Sequence, residues 1–409
     1  MTTQTTHATR PTLPVAAAFS AAIVSMTAFF LAAGAPTPLL IVEQEHWGFP
    51  SSLLTLAFGI YAIGLLATLL TAGRLSDYVG RRPVLIAALL LETGAFILML
   101  TATNIETVII GRLIQGIATG AATSAFSSAV IELAPPRAKR IAASIVSAAP
   151  AAGLGLGALV AGAMTSTITN AGAVIWAGLA VVTTLGAVAV VVSPETVARR
   201  AGAFVSLRPK LSIQPAVRAV FRNAVPILVA AWMMAALFMG LVPTTLGVVF
   251  HIQNTFVDGA TAFLEPAAAA AATLLTTRLA PRILLRVAAS TTIAGAAVFL
   301  AGLLSHQLWV LDAAGITGGI GFGTAMAGTI RSTVPATPAE HRAGIFAAIY
   351  TVSYLAFGIP AIASGIVIGV AGLTPVIVGL VSVIGLLGAV GLVTTTARAP
   401  RTAHIACAA

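Results

Sequence analysis

Long uncharged apolar stretches alternate along the chain with short basic patches. The patches are Arg10; Arg74, Arg81 and Arg82; Arg137, Lys139 and Arg140; Arg199, Arg200, Arg208, Lys210, Arg218 and Arg222; Arg278, Arg282 and Arg286; Arg331 and Arg342; and Arg398 and Arg401. They hold 20 of the 21 basic residues and leave only Arg112 outside. Between consecutive patches there is room for two bilayer crossings of about 20 apolar residues each. Every patch therefore returns to the same side, and six gaps predict twelve crossings. The expected spans are 14–40, 53–72, 83–103, 106–131, 141–164, 171–192, 225–249, 259–276, 283–304, 307–330, 343–370 and 375–394. All should be helices, because in lipid the backbone must satisfy its own hydrogen bonds, and the alternating ten-residue segments of a barrel are absent. The connections opposite the basic patches, such as Ile41 to Pro50 and Phe250 to Asp258, are too short to form domains.

The basic side carries both termini and the longest connection, and the positive-inside rule makes it the cytoplasm. Ser193 to Ala224 is polar and proline-bearing and divides the expected domains: a six-helix bundle over 1–192, a cytoplasmic linker over 193–224, and a second six-helix bundle with a short tail over 225–409. Within the linker, Pro215 to Asn223 fits a short amphipathic helix at the membrane surface as well as it fits a solvated segment. The halves echo each other. Gly73-Arg74-Leu75-Ser76-Asp77 corresponds to Thr277-Arg278-Leu279-Ala280-Pro281, and Pro136-Arg137-Ala138-Lys139-Arg140 to Pro338-Ala339-Glu340-His341-Arg342, both at an offset near 200 residues. A tandem duplication explains two loops at one offset.

Composition excludes a soluble protein: 58% of residues are hydrophobic and 8% charged. The net charge of +10 lies in loops beside the membrane, where topology and anionic lipid account for it, so nucleic-acid binding is not expected. Arg outnumbers Lys and Ala is abundant, which hints at a high-GC bacterium and its plasma (inner) membrane. The apolar run from Pro14 to Leu40 is longer than a signal-peptide core and reads as an uncleaved first helix. Cys407, the single cysteine, has no partner for a disulfide. No nucleotide loop, metal-ligand cluster or nucleophile constellation is present, so neither cofactor nor metal is expected.

Three segments carry candidate chemistry. Gly73 to Arg82, with Gly73, Asp77, Gly80, Arg81 and Arg82 in register, resembles the loop signature of the major facilitator superfamily, with Tyr78 the one departure. Asp77 follows a helix C-terminus, where an anion needs a positive partner. The resemblance implies a gate in which this loop meets the start of the eleventh helix, near Arg342 to Gly344, and in which Arg81 and Arg82 pair with Glu132. Gly111 to Gly120, with Arg112, Gln115, Gly116 and Gly120, resembles the fourth-helix signature of proton-coupled members. Arg112 costs about 2.5 to 3.5 kcal/mol in the membrane interior and is a functional candidate by default. Gly153 to Gly162 resembles the antiporter signature but has Ala158 where a proline is expected. Gly153 and Gly157 read more simply as helix-packing positions.

Four acids complete the list: Glu92 on the third span, Glu265 on the eighth, Asp312 on the tenth, and Glu106 at the rim of the fourth. The resemblance implies that the fourth, eighth and tenth helices face the pathway, which ranks Glu265 and Asp312 above Glu92. Counting from the expected span ends places both roughly 8 to 9 Å deep, level with Arg112. Aromatic residues that could line an apolar pocket are Phe19, Phe29, Phe58, Trp232, Phe238, Tyr350 and Tyr354. The resulting expectation is a monomeric all-α secondary transporter of twelve helices in two pseudo-symmetric six-helix bundles. It would move a small organic solute by alternating access, with proton-coupled efflux leading and a solute:proton symporter or facilitator next. A non-transporting receptor or scaffold would need no Arg112, and an enzyme would need a polar cluster that is not found.

Overall fold

A computed structural model describes residues 13–208, 212–338 and 341–396. The expectations placed on Arg10, Lys210, Glu340, Arg398, Arg401, Cys407 and the two termini lie outside the described residues. Among the described residues there is no strand. The chain divides into two compact units, one of Met1–Pro209 with Asn254–Gly259, the other of Lys210–Gln253 with Ala260–Ala409.

The first six crossings are α1 (Val15–Gly34) continued by α2 (Pro36–Trp47), α3 (Ser51–Ala72), α5 (Arg81–Leu100), α6 (Ile105–Leu133), α7 (Lys139–Thr167) and α8 (Ala171–Val191). Two single turns, α4 (Ser76–Val79) and α9 (Ala203–Ser206), lie at their basic end. The other six are α10 (Pro215–Gly240) continued by α11 (Val242–Val248), α12 (Thr255–Leu275), α13 (Pro281–Ser305), α14 (Leu308–Thr333), α15 (Arg342–Ala371) and α16 (Leu373–Thr396). Eleven of these twelve stretches are long and apolar enough to cross a membrane. The remaining one, α12, has 21 residues and so the length to cross, but Asp258, Glu265 and Pro266 dilute its apolar character. This crossing also carries a fully buried acid, Glu265.

Helix ends follow local chemistry. Asn104 caps α6 by accepting the Thr107 N–H at 2.9 Å. Gly80 opens α5 at φ 102, a left-handed backbone that only glycine adopts cheaply. Helix interiors tolerate Pro150, Pro226, Pro266 and Pro360, as spanning helices do when neighbours and local adjustments re-satisfy the freed carbonyls.

Without a hydrophobic drive between helices in lipid, small residues set how closely they approach. In the first unit α7 lies against α1, where a Cβ on Gly153 would come within 2.5 Å of Phe30 Cβ and one on Gly157 would collide with the Leu31 carbonyl. Likewise α6 lies on α3, with Gly116 and Gly120 against the backbone at Tyr61 and Leu65. In the second unit Gly319 and Gly323 of α14 meet the α12 backbone at Glu265 and Ala269.

Several boundaries differ from those expected. Ile41 to Trp47 is helical rather than loop, because Pro36 and Pro38 start a second helix directly after α1 instead of ending it. Pro215 to Asn223 is no separate surface helix. It is the first third of α10, and its Val217 and Phe221 are buried against α15 rather than laid on lipid. The helices also run longer than the spans, so depths change. From the nearest helix end opposite the basic loops, Arg112 lies about 10 Å in, Glu92 about 12 Å, Glu265 about 15 Å and Asp312 only about 6 Å.

Gly157→Val should destabilise the protein by about 1 to 3 kcal/mol through overpacking of α7 on α1. Gly178→Val on α8, where nothing stands within 4 Å, should leave the melting temperature in detergent unchanged. Equal melting of the two variants would contradict this packing.

Candidate functional site

The loop between α3 and α5 is built around one guanidinium. Arg81, 9% exposed, donates through Nη1 to Asp77 Oδ1 at 2.5 Å and to Ser76 Oγ at 2.7 Å, and through Nη2 to Glu132 Oε1 at 3.2 Å. A helix C-terminus on α6 thereby brings its acid to the start of α5. Asp77 finds its positive partner four residues ahead on the same loop. Arg82, expected beside Glu132, instead donates to the carbonyls of Val190 and Val191 and ties α5 to the end of α8. The Val191 carbonyl is among the last acceptors of a helix C-terminus, and the Val190 carbonyl, which also accepts the Ser193 N–H at 3.1 Å, has a second lone pair to offer.

The residue that sequence reasoning missed here is Glu195. Its carboxylate accepts the backbone N–H of Arg81 at 2.8 Å and of Arg82 at 3.1 Å, and so caps α5. The positive helix terminus and two charge-assisted bonds both favour an anion there. A Cβ on Gly80 would stand 2.5 Å from Glu195 Oε2, a second reason for glycine at that position. Thr196 donates from Oγ1 to Glu132 Oε2 at 2.5 Å and closes the ring of contacts. The available signal was that Glu195 is the lone acid of the 193–224 linker.

Deeper in the first unit, Arg112 is 1% exposed. Its Nε donates to the Ala57 carbonyl of α3 at 3.3 Å, its Nη1 donates to Gln115 Oε1 one turn along α6, and its guanidinium carbon stands 4.3 Å from the centre of the Tyr61 ring. Gly116, next to Gln115, allows α3 near enough for both α3 contacts. Glu92 of α5 is 0% exposed and close enough to interact electrostatically with Arg112 and Tyr61. Neither of its oxygens has a hydrogen bond of ordinary geometry, although the Gln115 side chain lies nearby. The acid ranked below Glu265 and Asp312 from sequence is therefore the one placed beside Arg112. The α5 face that carries it packs on α6, whatever the position of α5 at the rim of the bundle.

In the second unit Glu265 is 0% exposed and neither oxygen has a partner among the described residues. Asp312 of α14 is half-buried and reaches Thr261, one turn before Glu265 on α12. Glu106 is exposed at the first turn of α6. The aromatics separate into two kinds. Phe29 packs edge-on to Phe126 and Phe238 edge-on to Phe299, both in well-buried cores, and Phe58 is 3% exposed. Trp232 instead centres a ring cluster, 5.0 Å from Phe322 and 4.9 Å from Tyr354, with Tyr350 stacked on Tyr354. Its buried Nε1 has no acceptor among the described residues. Among the described residues no cluster of acids, histidines or cysteines could hold a metal ion.

Glu195→Ala should destabilise the first unit by about 0.5 to 2 kcal/mol, the cost of losing an N-terminal cap that water can partly replace at this exposed residue. Hydrogen exchange should quicken at the first turn of α5, and Glu195→Asp should restore part of the protection. Unchanged exchange at Arg81 and Arg82 in the alanine variant would remove Glu195 from this role.

Comparison with known proteins agrees with this arrangement. The fold resembles that of the human organic anion transporter MFSD10 (TETRAN), with a TM-score of 0.60 at 15% identity, over 93% of this chain and 100% of that one. A protein of Rickettsia bellii (strain RML369-C) described as an uncharacterized transporter is 35% identical over 71 residues, which span 17% of this chain and 18% of that protein. Residues 17–311 match the Major Facilitator Superfamily, and with twelve crossing helices around the loop and buried-arginine motifs the chain belongs to that family of membrane transporters.

Proposed function

We infer that the protein couples movement of a small organic solute to protons, with efflux from the cytoplasm as the leading direction. The observation that carries the reading is that each unit buries a carboxylate completely, Glu92 in the first and Glu265 in the second. Burying an unpaired acid in a spanning helix is costly, and residues kept there at such cost mark ion and proton pathways. Glu92 has Arg112 beside it, and a proton arriving on the acid cancels the charge the guanidinium faces. Among the described residues Glu265 has no such cation, and a proton on it decides whether the buried middle of α12 carries a charge. Both events change the electrostatic balance of a unit, which is what a proton-coupled switch between two access states requires. The Arg81 cluster would keep the basic end of the first unit rigid while the switch occurs, with Asp77 supplying a gate contact. A small-molecule substrate, protons and membrane lipid are the partners this function needs, and a monomer suffices.

In proteoliposomes, with a substrate identified from a growth-protection screen, Glu265→Gln, Asp312→Asn and Glu92→Gln should each abolish proton-driven accumulation and leave downhill exchange measurable. Arg112→Ala should impair both. Full proton-dependent transport in all three carboxylate variants would refute the coupling.

Cytoplasmic placement of the basic loops is the second part of the reading, supported by the distribution of arginine. Ser206 is 5% exposed and unsuitable for labelling, whereas Phe204 is 88% exposed. With Cys407 replaced by serine, an impermeant thiol reagent on intact cells should modify Ser305→Cys and spare Phe204→Cys. The opposite pattern would invert the orientation and turn efflux into uptake.

A further inference from the structure

A recess of about 370 Å³ opens at the basic end of the first unit, lined by Arg74, Asp77, Tyr78, Arg81, Val197 and Arg200. Among the described residues two of its three arginines have no ion-pair partner. Among the described residues the ion pairs are those of Arg81 with Asp77 and with Glu132, so Asp77 and Arg81 are committed to each other. Arg74, half-buried, and Arg200, exposed, are paired with no acid. Positive charge thus gathers around a space large enough for a phosphate ester.

One wall of the recess is the linker, and it is held there. The Arg200 N–H donates to the Tyr78 carbonyl at 2.8 Å, and Gly202 sits against the Tyr78 ring at φ 105, where a Cβ would stand 3.4 Å from it. That contact turns the chain directly into α9, whose Phe204 is 88% and Val205 59% exposed. A phenylalanine so bare, within a few residues of Arg199, Arg200 and Arg208, is poorly placed in water. It is well placed at a membrane surface, where apolar side chains enter the acyl boundary and arginines meet headgroups. The height is right as well, since the recess lies where α3 ends at Ala72, α5 begins at Arg81 and α8 ends at Val191. Helix ends of spanning segments stand at headgroup level.

We propose that this recess binds the phosphodiester headgroup of an anionic phospholipid through Arg74 and Arg200, with Phe204 seated among the lipid's acyl chains. The linker segment from Val197 to Ser206 is then a lipid-reading element fastened to the loop that Arg81 organises. Bound lipid adds a bridge between Arg74 on the loop and Arg200 on the linker, and so stabilises the loop. The site does not depend on proton coupling or on the direction of transport.

The full-length protein in a neutral detergent serves as the test, with melting temperature followed against added short-chain phosphatidylglycerol, short-chain phosphatidylcholine, glycerol phosphate or inorganic phosphate. Phosphatidylglycerol should raise the melting temperature saturably, and the other three should do so weakly or not at all. Arg74→Gln combined with Arg200→Gln should weaken the phosphatidylglycerol response by about tenfold in midpoint concentration. Arg74→Lys with Arg200→Lys should keep most of it, which separates lost charge from lost fold. Phe204→Ser should weaken the lipid response, while Arg286→Gln, a basic residue of the other unit, should not. An equal response to inorganic phosphate would make the recess a site for soluble anions and overturn the lipid assignment. A full lipid response in the double glutamine variant would overturn the site itself.

Discussion

A guanidinium in hydrocarbon must bring its own solvent, and much of the first unit is arranged to supply it. Arg112, 1% exposed, takes a backbone carbonyl from α3, an amide oxygen from its own helix, the face of a tyrosine and the field of Glu92. Each of these has a structural precondition. The carbonyl and the ring are within reach because Gly116 and Gly120 let α6 settle on the α3 backbone. The acid arrives because one face of α5 turns inward and buries Glu92 with Leu89 and Phe96. Pairwise helix contacts that look like generic small-residue packing are therefore what makes a charge tolerable at that depth. A bulky residue at Gly116 would separate the arginine from its solvation as well as the helices from each other.

The same logic operates at the membrane surface with a different currency of partners. Arg81 is nearly as well buried, but it is matched by two carboxylates and a hydroxyl. Its backbone N–H, with that of Arg82, is one of the unpaired donors at the start of α5, and Glu195 takes both. The loop signature thus has two sides. Its side chains gather α6 through Glu132, and its backbone gathers the segment after α8 through Glu195. This explains why Gly80 matters twice, once for its positive φ and once because any side chain there would strike the Glu195 carboxylate.

Much of this was legible in the sequence because it is periodic or local. Basic patches spaced by two membrane thicknesses gave the crossings, and even α12, too polar to meet a hydropathy criterion, was required by the return of Arg278 to the same side. The loop and fourth-helix motifs are contiguous, so they could be found without a fold. What was hidden depends on helix rotation or on contacts distant in sequence. Glu92 and Arg112 are on separate helices, and their meeting is decided by which faces pack, a matter of about 100° per residue. Glu195 and Arg81 are 114 residues apart. The helix of the first crossing runs on to Trp47, past the expected end at residue 40, through the polar Glu43, Gln44, Glu45 and His46, which hydropathy reads as loop. Likewise the apolar positions Val217 and Phe221 suit a lipid-facing stripe and a protein-facing one equally, and only α15 decides between them.

The two units handle buried charge differently. In the first, an acid and a base are buried together; in the second, Glu265 is buried with no base among its neighbours, on the helix that also carries Pro266. At its own level the α14 backbone comes against α12 through Gly319, so no long side chain can be added to reach it. An isolated buried carboxylate is tolerable only when neutral or when water can enter, whereas a carboxylate beside an arginine tolerates ionisation. The asymmetry therefore gives Glu92 on the third crossing and Glu265 on the eighth different surroundings to answer to. Glu265 is sensitive to whether its helix is wet, and Glu92 is sensitive to where Arg112 points. With no base beside Glu265 among the described residues, the second unit meets its buried carboxylate through solvation, and the first meets Glu92 through pairing with Arg112.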